Sequence, residues 1–155
     1  MPAKTKAAIH KKGTITLAQI IKNTRQSKNY RKTGAVILFI GTVRGETQDR
    51  KVTKLELEAF EEQANTTLRN IRDDLRKRSG ITDVQIHHLI GTFKPGEELV
   101  YVLVAGTHRG VVFPTLQEAV ERYKKEVPIF KKEHTINEKG ERGARWVTEH
   151  ERRRK

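Results

Sequence analysis

Apolar residues fall along this chain in short bursts whose period changes, and each change marks an element. Thr16 stands ahead of Leu17, Ile20 and Ile21, where its hydroxyl can cap the first turn of a short helix. Gln26 to Thr33 is a polar, basic linker, and Gly34 opens the run Ala35 to Ile40, which reads as a strand buried on both faces and so central in its sheet. Gly41-Thr42-Val43-Arg44-Gly45 follows as a loop that carries Arg44 out from the strand end. From Val52 to Phe60 the period is two. Leu55, Leu57 and Ala59 share one face and Lys54, Glu56 and Glu58 the other, the mark of a half-exposed strand.

At Glu61 the period lengthens. Ala64, Leu68, Ile71 and Leu75 fall on one helical face, and Gly80 stands where a C-terminal cap belongs. Val84, Ile86, His88 and Ile90 alternate, Lys94-Pro95-Gly96-Glu97 is a turn, and Leu99 to Ala105 is largely apolar, which together make a hairpin. Pro114 suits the start of a second long helix with the stripe Leu116, Ala119, Val120 and Tyr123, ended by Pro128. Ile129 and Phe130 lead into a polar loop through Lys131, Lys132 and Glu133, and a short strand forms around Arg145-Trp146-Val147. The order places the chain in the α+β class, with a mainly antiparallel sheet and two main helices.

Charge alters this picture only at the ends. The net charge is +13 over 155 residues, and residues 1–33 hold nine Lys or Arg and no acid while residues 152–155 hold four more. The body between them carries 19 basic and 19 acidic residues and is neutral. The expected organisation is a basic N-terminal segment with a short helix at 1–33, a domain at 34–149 and a basic tail at 150–155. Cysteine is absent, which excludes disulfides, thiolate metal sites and a sulfur-carrying thiol. No apolar run approaches the roughly 18 residues that cross a bilayer, and no secretory h-region is present. A cytoplasmic location is expected, with no membrane contact.

Phosphate-loop, dinucleotide, zinc-protease and nucleophile-elbow signatures are missing. His87 and His88 are adjacent and so point to opposite faces of a strand, which excludes a shared metal. The acids lie mostly on solvent faces, with none in an apolar setting that would raise its pKa. Cations at element ends remain: Arg44, the loop-borne His108 and Arg109 between Gly106 and Gly110, Lys124 and Lys125, Lys131 and Lys132, and Arg145 beside the only tryptophan. Singly, each has a bland use as a helix-dipole partner or a solvated charge. As a set they suit a compact anion, because Arg grips phosphate bidentately and a Lys becomes reactive where burial or neighbouring cations depress its pKa.

Five blocks then fall in register with one family: Phe39-Ile-Gly-Thr-Val-Arg44-Gly, Leu55-Glu-Leu-Glu-Ala-Phe60-Glu-Glu, His108-Arg109 with Phe113, Tyr123-Lys124 with Pro128-Ile-Phe-Lys131-Lys-Glu133, and Arg145-Trp146-Val147. From about residue 7 to residue 149 the chain resembles the catalytic (large) subunit of molybdopterin synthase. The resemblance implies an α/β hammerhead-type fold and a homodimer within a heterotetramer. Its partner would be a small ubiquitin-like sulfur-carrier subunit whose C-terminal Gly-Gly thiocarboxylate enters the pocket. It further implies a sulfurtransferase of molybdenum cofactor biosynthesis that converts cyclic pyranopterin monophosphate to molybdopterin, with no cofactor or metal of its own. Lys124 and Lys131 match the family's catalytic lysines. Thr42, Val43, Arg44, His108, Arg109, Lys132, Glu133 and Arg145 match its substrate-contacting positions, together with the two lysines. The chain departs from the family where Phe130 replaces a common tryptophan, in a longer 134–144 loop, and at His150, where some members carry an arginine, although Arg152 is near.

The rival reading is a small basic nucleic-acid-binding domain that uses its arms on phosphates. Aromatic content of only 6% and the lack of a stacking motif weigh against it.

Overall fold

The computed structural model describes residues 5–147. The positions named above at His150 and Arg152, and the rest of the basic tail, lie outside the described residues. Among the described residues eight strands and three α-helices follow in the order β1 (Ala7–Lys11), α1 (Leu17–Arg25), β2 (Ala35–Thr42), β3 (Glu46–Thr47), β4 (Arg50–Ala59), α2 (Glu61–Arg76), β5 (Ile81–Phe93), β6 (Glu98–Gly106), α3 (Arg109–Glu126), β7 (Ile129–Ile136) and β8 (Arg142–Val147). The sheet order is β2-β6-β5-β4-β7-β8, with β1 beside β5 and β3 beside β4. All pairings are antiparallel except β1 with β5. The α+β class and the mainly antiparallel sheet are as expected.

Thr16 caps α1 through a complete capping box: its side chain accepts from the Gln19 amide, and the Gln19 side chain accepts from the Thr16 amide. The helix α2 buries the expected stripe Ala64, Leu68, Ile71 and Leu75. It packs against β1 and β5, while α3 packs against β6 and β2. The long strand β5 joins the two wings of the sheet. Ile81–His88 pairs with β6, and Gly91–Phe93 pairs with β4.

Several expectations are corrected. Ala7–Lys11 is a strand inside the basic segment, missed because five residues with two polar side chains carry little periodicity, yet Ala7 and Ile9 are buried. The strand β2 is an edge rather than the centre, and Val36 and Ile40 are exposed at 43% and 36%. Gly80 has φ +83 but belongs to the turn into β5, because Lys77 is the C-cap of α2. The helix α3 begins at Arg109, with the extended residue His108 as N-cap, so Pro114 lies inside it and His108 and Arg109 are not loop-borne. Finally, Lys131, Lys132 and Glu133 are in a strand. Their backbone groups pair with Leu57, Glu56 and Leu55 of β4 on one side and with Val147, Trp146 and Arg145 of β8 on the other. The stretch 134–144 is therefore hairpin, with its turn closed by hydrogen bonds between Asn137 and Glu141.

Candidate active site

The register that makes 129–136 a strand also builds a cavity. Pro128 ends α3 and turns the chain back along β4, so the last turn of the helix faces the first residues of β7. Between them opens a cavity of about 300 Å³. Tyr123 and Lys124 of α3, Lys131 of β7 and His88 of β5 line it, with Val127 and Ile129 as apolar wall and Phe130 and Trp146 at the rim. The two lysines singled out in the sequence thus share one cavity. Phe60 and Phe130 meet edge to face with centroids 5.0 Å apart, and both are exposed. The Lys132 ammonium lies 5.8 Å from the Trp146 ring centroid, within cation–π range.

Glu133 and Arg145 are register partners on β7 and β8. They line a second recess of about 280 Å³ with Thr47, Gln48, Arg50 and Thr135. Glu133 is 5% exposed and Asp83 2%, so these two acids leave the solvent faces on which most of the acids were expected. Asp83 is held by Lys6 at 2.9 Å, Thr24 at 2.7 Å and its neighbour's amide, that of Val84, at 3.0 Å.

Thr42, Val43 and Arg44 lie two strands away from the cavity. His88, Val100 and Gly41 form one row across β5, β6 and β2, a span of roughly 10 Å at about 4.8 Å between strands. Val43 is buried, and its amide donates to the Glu97 carbonyl oxygen at 2.9 Å. Arg44 is exposed beyond that row. His108 and Arg109 are at the other end of the molecule. Thr42 pairs beside the first residue of β6, and α3 begins after its last, so Arg109 and Lys124 are separated by about 22 Å of helix at 1.5 Å per residue. One chain does not bring these two sets together.

His88 is the lining residue that the sequence reading passed over. It alternates with Val84 and Ile86, so its inward position was legible, but nothing in the chain showed which element would face it. The ring is 1% exposed and stands edge-on to Tyr123 with centroids 5.6 Å apart. Burial pushes its pKa down to about 3, and Lys131 and Lys124 add to the shift against an opposing hydrogen bond to the Leu89 carbonyl. His87 points the other way, into a polar cluster with His10 and Gln85. Among the described residues no three His, Asp or Glu side chains gather where a metal ion could be held.

Residues 7–126 match the model of the MoaE protein family. The "Molybdopterin synthase catalytic subunit" of Bacillus subtilis is 36% identical over 136 residues, covering 88% of this chain and 81% of that protein. A "Probable molybdopterin synthase" of Haloferax volcanii is 34% identical over 126 residues, and the chain spans 80% of itself but only 48% of that protein. The crystal structure of molybdopterin synthase from Staphylococcus aureus superposes with a TM-score of 0.75 at 31% identity, over 90% of this chain and 95% of that one. The chain belongs to the MoaE family of molybdopterin synthase catalytic subunits.

Proposed function

We propose that this chain is the catalytic subunit of a cytoplasmic sulfurtransferase that converts cyclic pyranopterin monophosphate to molybdopterin. Sulfur comes from the C-terminal thiocarboxylate of a small ubiquitin-like subunit. The observation that carries this reading is the pairing of Lys124 and Lys131 in one cavity with an aromatic rim, in a chain without cysteine. A protein with no thiol must receive sulfur from elsewhere, and the relatives' name, catalytic subunit, supports a further subunit. Among the described residues no helix is long and apolar enough to cross a membrane.

In this reading the tail of the small subunit enters past Phe130 and Trp146. Lys124 and Lys131 stabilise the negative charge that develops as the thiocarboxylate sulfur bonds to a side-chain carbon of the substrate and displaces the oxygen there, to which they supply a proton. Water then cleaves the sulfur–acyl bond and leaves the tail as a carboxylate, and a second thiocarboxylated tail repeats the transfer for the second sulfur. Arg44, with Thr42 and Val43, and His108 with Arg109 hold the pterin and its phosphate, an anion that Arg binds bidentately. Lys132, Glu133 and Arg145 shape the neighbouring wall. Because His108 and Arg109 lie at the far end of α3, they serve the cavity of a second copy in a homodimer.

The test mixes the protein with thiocarboxylated small subunit and cyclic pterin and looks for the dithiolene product by mass. Wild type gives product. Lys124→Ala and Lys131→Ala lose about a hundredfold or more in rate, the scale for loss of a positioned acid or charge stabiliser. No product with a competent partner overturns the reading.

A further inference from the structure

His88 has a tautomer that its surroundings dictate. Nδ1 lies 2.9 Å from the carbonyl oxygen of Leu89. A carbonyl only accepts, so Nδ1 carries the ring proton and Nε2 is the acceptor. Desolvation keeps the ring neutral at ordinary pH, with a pKa near 3. Among the described residues, that bond to Leu89 is the only one the side chain makes. On the wall of the cavity that His88 lines, Nε2 is therefore an acceptor open to a donor that an occupant presents.

We propose that Nε2 of His88 accepts a hydrogen bond from the backbone N–H of the last glycine of the sulfur-carrier tail, whose terminal anionic group lies by Lys124 and Lys131. This rests on the function proposed above and adds a recognition point to it. At a peptide C-terminus the final N–H and the anionic group belong to one residue, with the nitrogen about 2.5 Å from the terminal carbonyl carbon given bonds of roughly 1.5 Å. A pocket that reads such an end needs a cation and an acceptor side by side. Lysine alone would take any small anion, whereas the neutral imidazole beside it demands N–H. The walls Tyr123, Val127 and Ile129 leave the approach apolar, which suits a segment without side chains. His88 is a recognition and positioning residue in this scheme, since a ring so hard to protonate is a poor proton carrier.

The test titrates the full chain with a synthetic peptide ending in Gly-Gly and with its depsipeptide, in which an ester oxygen replaces the last amide N–H. Wild type, His88→Phe and His88→Gln are compared. The ester should weaken binding to wild type about tenfold, the scale of one hydrogen bond lost with its acceptor left buried. It should make no difference to His88→Phe. His88→Gln, whose amide oxygen reaches the Nε2 position, should keep most of the discrimination. In wild type the Nε2 nitrogen resonance should move on adding the peptide. An ester penalty equal in wild type and in His88→Phe overturns the proposal, as does an Nε2 resonance that answers to the pterin and not to the peptide. If His88→Phe does not fold, the glutamine variant and the wild-type resonance decide. A peptide that binds without coupling to His88 sinks this inference alone, whereas a peptide that fails to bind sinks the tail-binding reading with it.

Discussion

His87 and His88 are neighbours in β5 with opposite duties. His88 faces the cavity, and His87 anchors the N-terminal segment. The donors and acceptors around His87 run in one direction: His10 Nε2 donates to His87 Nδ1 at 2.8 Å, and His87 Nε2 donates to the Gln85 Oε1 at 2.9 Å. Gln85 Nε2 donates to Thr24 Oγ1 at 2.6 Å, and Thr24 donates to the Asp83 carboxylate, which Lys6 and Arg72 also face. A proton added to His87 Nδ1 would set two N–H groups against each other. Burial, with smaller contributions from His10 and Lys6, pushes the His87 pKa down to about 3, and burial lowers that of His10 as well. The unfolded chain, with histidine near 6.5, binds these protons first. The stabilising effect is complete above about pH 6.5 and is lost as pH falls toward the folded values. The melting temperature should therefore decline between pH 6.5 and 5, where carboxylates are still ionised. A melting temperature flat across that interval, or a decline that survives unchanged in His10→Phe, would contradict the role given to this pair. The sequence revealed that the two rings part company, by simple alternation. The chain of partners spanning residues 6 to 87 was invisible there, because it depends on where α1 lands.

Strands and helices were legible in proportion to how far their period stood out from their charge. The stripe of α2 and the hairpin of β5 and β6 were plain, since each has a single apolar face or a marked turn. The strand β7 was hidden because Lys131, Lys132, Glu133 and His134 are consecutive polar residues. What makes it a strand is pairing on both sides, by β4 and β8, which is a tertiary cause. The start of α3 was hidden for a related reason. Pro114 is a usual first-turn residue, but His108 is extended and its carbonyl already accepts from Val111 and Val112. The sharp passage from β6 to α3 depends on Gly106. A Cβ there would come within 2.7 Å of the Gly80 carbonyl oxygen and 2.8 Å of the Val112 side chain. Gly106→Ala should therefore cost about 1 to 3 kcal/mol, the scale of overpacking, read as a lower midpoint in urea with an unchanged slope. An alanine variant as stable as wild type would show that this turn has slack.

At the scale of the whole molecule the net charge of +13 is less informative than the two ends of α3. Lys124 and Lys131 sit at one end with the cavity, and His108 and Arg109 sit at the other, so a site that uses all four needs two copies. The edge position of β2, with Val36 and Ile40 exposed, leaves an apolar strand available for such a contact. Two-fold symmetry makes this testable, because each site of the dimer would take its lysines from one copy and its arginine from the other. Lys131→Ala and Arg109→Ala, each inactive as a pure dimer, should regain activity when unfolded together in equal amounts and refolded. Half the dimers are then mixed, and each mixed dimer holds one site with both defects and one with neither, so about a quarter of wild-type activity returns. If each site came from a single chain, every mixed dimer would hold two damaged sites and the mixture would stay inactive. The same mixture assayed with Lys131→Ala and Lys124→Ala, whose positions share one cavity, should regain nothing, and recovery there would mean that the cavity is not the catalytic unit.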